Sequence, residues 1–175
     1  TNPNYSGDHP VIGDVKPPVK RSLPLANVPN AGIMLPRQKR FSDLGDWTIE
    51  AWIMLDTDLD GLIASALVDG HSSIKLGIEA GVPYASFISE AGELVKVGGT
   101  TNAFTFTAFE PNEWHHVAVT YDNDELELGL TVDGLIWRTV SNVLPVDLPP
   151  DGDLLFFLGG DNDGTIANAD NYFES

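Results

Sequence analysis

Most of this chain alternates between short segments rich in aromatic and β-branched residues and pairs of turn-forming residues. The segments recur about every ten residues, and pairs such as Asp69-Gly70 and Asp133-Gly134 separate them. No stretch shows the 3.6-residue apolar period of an amphipathic helix. The pattern predicts an all-β sandwich or barrel. We expect strands at residues 47–55, 62–68, 73–79, 83–89, 93–97, 103–107, 114–121, 126–132, 135–140 and 153–158.

The first 30 residues differ in composition from the rest. They contain half of the chain's 12 prolines, and proline interrupts both helices and central strands. We interpret residues 1–30 as an extended Pro-rich arm or inter-domain linker. A disordered leader is the alternative that composition leaves open.

The chain carries a formal net charge of −17, distributed unevenly. Residues 1–40 have a balance of +4, whereas residues 41–175 have a balance of −21. A domain this acidic repels nucleic acids and anionic lipid surfaces. No apolar run approaches the ~20 residues of a transmembrane helix. We therefore expect neither nucleic-acid binding nor membrane insertion.

The chain has no cysteine, which excludes thiol catalysis, thiolate zinc sites and a disulfide framework. Its many carboxylates need cations to screen or bind them, and this favours an extracellular or cell-surface location. Secreted eukaryotic domains of this size often carry disulfides. An acidic chain without cysteine therefore favours secretion by a bacterium.

Residues 114–122 read W-H-H-V-A-V-T-Y-D, and residues 126–134 follow with L-E-L-G-L-T-V-D-G. These strings resemble the laminin G-like, concanavalin A-like lectin/glucanase family. Residues 47–55 and 158–162 also resemble segments of that family, and all the segments follow one another in the family's order along the chain. The resemblance implies a jelly-roll sandwich of two antiparallel sheets over residues 31–175. Family members usually continue into one more strand, G-x-I-D-E-V-R-I, which has no counterpart here. We therefore expect the domain to lack its last strand unless the arm or further chain supplies it.

Glycoside hydrolases share the fold that this resemblance implies, and they carry a pair of catalytic carboxylates. Laminarinase-type enzymes carry E-x-D-x-E or E-x-D-x-x-E on one strand, and neither string occurs here. Glu125 and Glu127 come nearest, but they adjoin a turn and are interpreted as solvated. No G-x-S-x-G nucleophile motif is present either. The sequence therefore predicts a protein that is not an enzyme.

The histidines and tryptophans are interpreted mainly as structural. His115 and His116 are consecutive on a predicted strand, so they face opposite sides and cannot chelate one metal ion. The family framework segments contain Trp47, Trp52 and Trp114, which we expect in the core. Trp137 is less constrained. Packing against a sheet is favoured there over a sugar-stacking platform.

Two acidic segments indicate calcium. Residues 56–61 read D-x-D-x-D-G, as in the first part of an EF-hand loop, although Leu67 stands where the bidentate glutamate would be. A second segment, residues 161–166, reads D-N-D-G-T-I. It follows the strand end where laminin G-like relatives often hold calcium. Solvated turns without metal are the alternative for each. The predicted Ca²⁺ ligands are Asp56, Asp58, Asp60, Asp161 and Asp163.

These observations together predict a non-catalytic extracellular adhesion or recognition module of a large bacterial surface protein. It would bind a glycan or a cell-surface protein, or position a neighbouring binding domain of the same chain. One alternative is a structural spacer or split scaffold domain without a ligand of its own. Another is an accessory carbohydrate-binding module of a secreted polysaccharide-degrading enzyme.

Overall fold

The computed structural model shows an all-β domain of two antiparallel sheets. It describes residues 33–35, 45–56, 61–68, 71–100, 108–147 and 155–159. No helix occurs within these ranges. The predicted sandwich is confirmed. The Pro-rich arm at residues 1–30 and the strand predicted at 103–107 lie outside the described residues, so they remain predictions.

One sheet has six strands in the order β1-β10-β3-β4-β5-β6, and the other has four in the order β2-β7-β8-β9. Each of the other predicted strands is present, with ends that differ by at most two residues. Only β1, which pairs with β10, was not predicted. The strands are β1 Ile33–Met34, β2 Trp47–Met54, β3 Gly61–Val68, β4 His71–Glu79, β5 Val82–Ile88, β6 Leu94–Gly98, β7 Trp114–Asp122, β8 Glu127–Val132, β9 Leu135–Ser141 and β10 Leu155–Leu158.

The core lies between the sheets and is built from alternate residues of each strand. Three aromatic rings occupy its middle, with centroids 6.0 Å apart for Trp47 and Tyr121, 6.0 Å for Trp47 and Phe87, and 5.7 Å for Phe87 and Tyr121. The Tyr121 hydroxyl donates a hydrogen bond to the Val143 carbonyl at 2.9 Å. Burial raises the pKa of this hydroxyl by disfavouring its charged form. Each large apolar side chain that is fully buried contributes about 1.5–3 kcal/mol to folding.

The prediction that all three framework tryptophans are core residues was right for Trp47 only. Trp52 follows Trp47 by an odd number of residues, so the strand's period of two turns it to the opposite side of the sheet. Trp114 likewise shares the side of His116, away from the core residues Val117 and Val119 of β7. Both rings are only partly buried. Hydrophobicity favoured the core, but strand parity places them on the outer face.

The turn predicted at the Asp133-Gly134 pair is confirmed, and it joins β8 to β9. Asp133 and Gly134 have φ angles of 50° and 77°. A two-residue turn with both central residues left-handed matches the right-handed twist of the flanking strands, and Asp and Gly tolerate that backbone best. The turn holds the Asp133 carboxylate beside the start of β7, where it serves the site described next.

Candidate ligand-binding surface

The outer face of the four-stranded sheet carries a cluster of large side chains, which we call the outer platform. It comprises Glu50, Trp52 and Met54 from β2, with Trp114 and His116 from β7. Trp52 pairs directly with His116, and Met54 pairs with Trp114. Directly opposed residues in an antiparallel pair have Cβ atoms about 4.5–5.5 Å apart, so the backbone register alone brings these side chains together.

The centre of the outer platform is the group formed by Trp52, His116 and Glu50. The rings of Trp52 and His116 have centroids 5.1 Å apart and are tilted by 47°. His116 Nε2 lies 3.4 Å from Glu50 Oε2, and the two side chains are 23% and 66% exposed. That separation exceeds the usual 2.7–3.2 Å of a strong hydrogen bond. The carboxylate therefore keeps capacity to accept from a ligand.

Beyond the outer platform, the same face is lined mainly by small hydroxyl side chains. Alternation with buried residues places them outward, and all are exposed or partly exposed. Two carboxylates, Asp122 and Glu127, share this face, and Ser141 Oγ donates to Glu127 Oε2 at 3.2 Å. As far as its side chains are described, the face is therefore polar and acidic around the aromatic outer platform. Its hydroxyl residues are Thr48, Thr120, Thr131, Thr139 and Ser141.

His115 faces the other way from His116, as predicted, and has a structural role. Its Nδ1 lies 3.0 Å from Asp133 Oδ2, and its ring stacks on Phe109 with centroids 4.0 Å apart. Asp133 Oδ1 also accepts from the His116 amide at 2.8 Å, while the Asp133 amide donates to the His116 carbonyl at 2.8 Å. We call this arrangement the Asp133 clasp, because one turn residue fixes both histidines of β7.

A second charged group lies on the outer side of the six-stranded sheet. Glu79 Oε2 accepts from Lys96 Nζ at 2.9 Å and from the Thr100 amide at 2.8 Å. The hydrogen bond from Lys96, and then that from Thr100, holds the pKa of the Glu79 carboxyl below its ordinary value of 4.5. Lys96 Nζ also lies 4.7 Å above the Tyr84 ring. These groups satisfy one another within the protein.

Glu125 and Glu127, the nearest candidates for a catalytic carboxylate pair, lie in different elements of secondary structure. Glu125 lies in the exposed turn between β7 and β8, where its amide donates to Asp122 Oδ1 at 2.9 Å. Glu127 is the first residue of β8 and accepts from Ser141 Oγ. One belongs to a turn and the other to a strand, so they do not form the strand-borne pair of the laminarinase type.

Of the predicted calcium ligands, the structure describes only Asp56, an exposed residue that follows β2. Asp58, Asp60, Asp161 and Asp163 lie outside the described residues. No group of three or more His, Asp or Glu side chains suited to a metal ion occurs in the described part of the chain. The residue types fit calcium, which prefers hard oxygen ligands. The calcium site stays a prediction.

The described strands do show where the two acidic segments join the sheet. The chain enters β3 at Gly61, and it leaves β10 at Gly159. Strands β3 and β10 are antiparallel neighbours with Leu158 opposite Ala64, and the Gly159 amide donates to the Ile63 carbonyl at 2.9 Å. Residues 57–60 and the segment after Gly159 therefore attach to the same end of the sheet, on adjacent strands.

Sequence reasoning missed two features of this surface. The outer platform had a signal in the parity of Trp52 relative to the buried Trp47, which hydrophobicity concealed. The Asp133 clasp was indicated in the sequence by the strings W-H-H and V-D-G. That Asp133 bonds to both histidines becomes visible only when β7 and β8 are paired.

The described residues include no helix of the length and apolar character needed to span a membrane.

Comparison with known proteins agrees with this architecture. A laminin G-type family model, described as the concanavalin A-like lectin/glucanases superfamily, matches residues 27–174. No curated protein matches the chain in sequence. The resemblance noted in the sequence is confirmed at the level of the family.

Solved structures with a similar fold include domains LG4-5 of the mouse laminin α1 chain, at 21% identity and a TM-score of 0.55, covering 80% of this chain and 36% of that one. The binding domain of Paraclostridial Mosquitocidal Protein 1 has 15% identity and a TM-score of 0.55, covering 86% and 39%. The receptor binding domain of botulinum neurotoxin type G has 12% identity and a TM-score of 0.51, covering 77% and 36%. The chain thus spans less than two fifths of each. Likeness at these identities shows the fold.

Proposed function

We propose that this chain, which belongs to the concanavalin A-like lectin/glucanases superfamily, is a non-catalytic recognition domain of a larger extracellular protein. The observation that carries the proposal is the outer platform. A sheet face that had only to be soluble would need no partly exposed Trp52 and Trp114, since exposed aromatic clusters mark binding surfaces. Two of the structurally similar proteins are themselves called binding domains in their names.

The extracellular and bacterial part of the proposal is supported by composition. A chain without cysteine and with a net charge of −17 is suited to an environment rich in cations, where disulfides are not its means of stabilisation. In this proposal the domain belongs to a large bacterial surface protein. It binds a glycan or a cell-surface protein there, beside other domains of the same chain.

The absence of catalysis has a direct test. Laminarin, agarose, alginate and dextran should survive long incubation at high protein concentration, because Glu125 and Glu127 are not arranged as an acid and a nucleophile on one strand. Release of reducing ends that Glu125→Gln or Glu127→Gln abolishes would contradict a non-catalytic role. Release that neither variant reduces would also contradict it, unless repurification removes the activity and so identifies a contaminating hydrolase.

The proposal includes calcium, bound by the acidic segments that hold Asp56, Asp58, Asp60, Asp161 and Asp163. Calcium that binds only the folded state at a hundredfold excess over Kd stabilises it by about 2.7 kcal/mol. For a domain of this size that corresponds to a rise of roughly 5–10 °C in Tm. Magnesium should do less, since it demands octahedral geometry and loses water reluctantly. Thermal melts in EDTA, calcium, magnesium and sodium chloride of matched ionic strength test this.

Because β3 and β10 are neighbours, the two acidic segments would contribute to one calcium site or to two adjacent ones. The double changes Asp58→Asn/Asp60→Asn and Asp161→Asn/Asp163→Asn distinguish these cases. A shared site predicts that either double change removes most of the calcium effect. Two sites predict that each removes a part and that the parts add. If calcium has no advantage over sodium at equal ionic strength, screening explains the stabilisation and the metal assignment is wrong.

Recognition itself is tested by applying the purified chain to arrays of glycans and of extracellular proteins, with calcium and with EDTA. We expect reproducible binding to a restricted set of ligands on at least one array. A spacer domain without a ligand of its own predicts no binding on either array in either buffer, and that result would contradict the proposed function.

A further inference from the structure

We propose that the outer platform is an oligosaccharide-binding site that takes neutral, hydroxyl-rich sugars and does not require calcium. In this arrangement the Trp52 ring packs against the C–H face of a pyranose, while Glu50 and His116 hydrogen-bond its hydroxyl groups. The inference rests on the proposed recognition function and adds to it the surface that binds and the chemical class of the ligand.

The chemistry of the outer platform combines an apolar ring with polar groups at its edge. The Trp52 ring is partly exposed and next to the His116 imidazole at 5.1 Å. Glu50, which is 66% exposed, approaches His116 Nε2 at 3.4 Å. A sugar ring has the complementary pattern, with C–H groups on its faces and hydroxyls around its rim. Imidazole can donate or accept and carboxylate accepts, so together they match hydroxyl groups.

A second copy of the chain or another folded protein fits this face less well. Stable protein interfaces resemble the apolar interior of a domain at their centre. Among the side chains that the structure describes on this face, the large apolar ones belong to the outer platform, where Met54 is 46% exposed. The surrounding face carries hydroxyls and carboxylates, which a protein partner would have to desolvate. A hydroxyl-rich ligand can exchange its hydrogen bonds with them one for one.

The charge of the face selects among sugars. Glu50 lies within the outer platform, Asp122 and Glu127 lie on the same face, and the whole chain has a net charge of −17. Sulfated or uronic-acid polymers would be repelled by this field. A neutral sugar incurs no such penalty, so we expect binding of neutral oligosaccharides and none of heparin or alginate.

The outer platform extends over two strands, which favours a ligand of more than one ring. Trp52 pairs with His116, and Trp114 lies diagonally across on β7. Diagonal neighbours are within reach of aromatic side chains. A chain of sugar units that crosses β2 and β7 can contact Trp52 and Trp114 together, whereas a monosaccharide contacts only one. Affinity should therefore rise from mono- to oligosaccharides.

Isothermal titration calorimetry tests the assignment with cello-, malto-, laminari- and N-acetylchito-oligosaccharides as neutral probes and with heparin and alginate oligosaccharides as acidic ones. Trp52→Ala should weaken binding of a neutral probe by at least about tenfold, as truncation of a central interface tryptophan does. Trp52→Phe should restore part of the loss. Glu50→Gln, a change at an exposed residue that does not threaten folding, should also weaken binding. EDTA should have no effect.

The matched control is Leu94→Ala, because Leu94 is 67% exposed on β6 of the other sheet. Its binding should stay within about twofold of the unchanged chain. Neutral-sugar binding that Trp52→Ala and Glu50→Gln leave intact, or that EDTA abolishes, would overturn the site while the recognition function stands. Binding of acidic sugars or proteins alone would overturn the ligand class in the same way. No binding of any probe or array ligand would overturn both proposals.

Discussion

The two faces of the four-stranded sheet are made by the same strands but differ in burial and in polarity. On β7, Val117, Val119 and Tyr121 face inward and are buried, whereas Trp114 and His116 face outward and are partly exposed. Consecutive residues thus have different roles: inward side chains pack between the two sheets, and outward side chains are presented to solvent. A substitution of an inward-facing residue should therefore affect stability, and a substitution of an outward-facing residue should affect ligand binding.

The largest difference between the two faces is expected from two neighbouring substitutions on β7. Tyr121→Ala removes a core ring and its hydrogen bond to the Val143 carbonyl, and should cost about 3–5 kcal/mol in the free energy of unfolding. Thr120→Ala, one residue earlier on the exposed side, should cost less than about 1 kcal/mol. Urea unfolding followed by circular dichroism measures both. Equal costs would show that the faces are not divided in this way.

The Asp133 clasp involves residues of both faces, since Asp133 binds the side chain of inward His115 and the backbone amide of outward His116. Asp133→Ala leaves these donors without their acceptor, and should cost about 2–3 kcal/mol in unfolding free energy. Asp133→Asn keeps one acceptor oxygen and a residue that tolerates positive φ, so it should cost less. Asp124→Ala, an exposed carboxylate in the β7–β8 turn, serves as control. A cost for Asp133→Ala no greater than the control's would reduce the clasp to a surface contact.

Two glycines of the six-stranded sheet and its turns test how closely the sheets approach each other. Gly98 and Gly92 have φ angles of 79° and 74°, so alanine is strained at both. At Gly98 a Cβ would also lie 2.4 Å from the Pro83 carbonyl oxygen and 2.6 Å from Leu130 of the other sheet, whereas at Gly92 nothing lies within 4 Å. Gly92→Ala should cost about 1–2 kcal/mol in unfolding free energy. Gly98→Ala should cost clearly more, and equal thermal shifts would mean that Pro83 of the same sheet and Leu130 of the other sheet have room to move away.

The smallest expected effect concerns the ion pair outside the six-stranded sheet. The pKa of Glu79 is lowered in the folded protein, so its charged form stabilises the fold above the ordinary pKa of 4.5, and this contribution is lost as the pH falls through the folded-state value. Glu79→Gln should cost less than about 1 kcal/mol near pH 7, because partial exposure screens the pair. The difference in Tm between the two proteins should vanish at acid pH. A gap that stays constant with pH would show that the charge is not responsible.

The positions of the strands were predictable because each turn pair and each apolar segment is recognised from a few consecutive residues. The β2 and β7 strings carried the family resemblance, and their pairing residue by residue from Trp47 with Tyr121 to Met54 with Trp114 agrees with it. The outer platform was not predicted, because a tryptophan next to apolar residues resembles a core residue until it is known which side of its strand faces the core. The short β1 was missed for a related reason. Two residues, Ile33 and Met34, carry no periodicity and become a strand only through β10.

The pairing of β2 with β7 has a consequence for the kinetics of folding. Strands β3 to β6 form a meander of successive neighbours in one sheet, and all of it lies between β2 and β7 in the chain. The meander can assemble from local contacts, but β2 must wait until a long loop has closed against an entropic cost. Domains dominated by such distant pairings fold in about milliseconds to seconds. Until β2 docks, the exposed edge of β7 is available to a strand from another chain, so dilute solutions and slow synthesis should favour the native product.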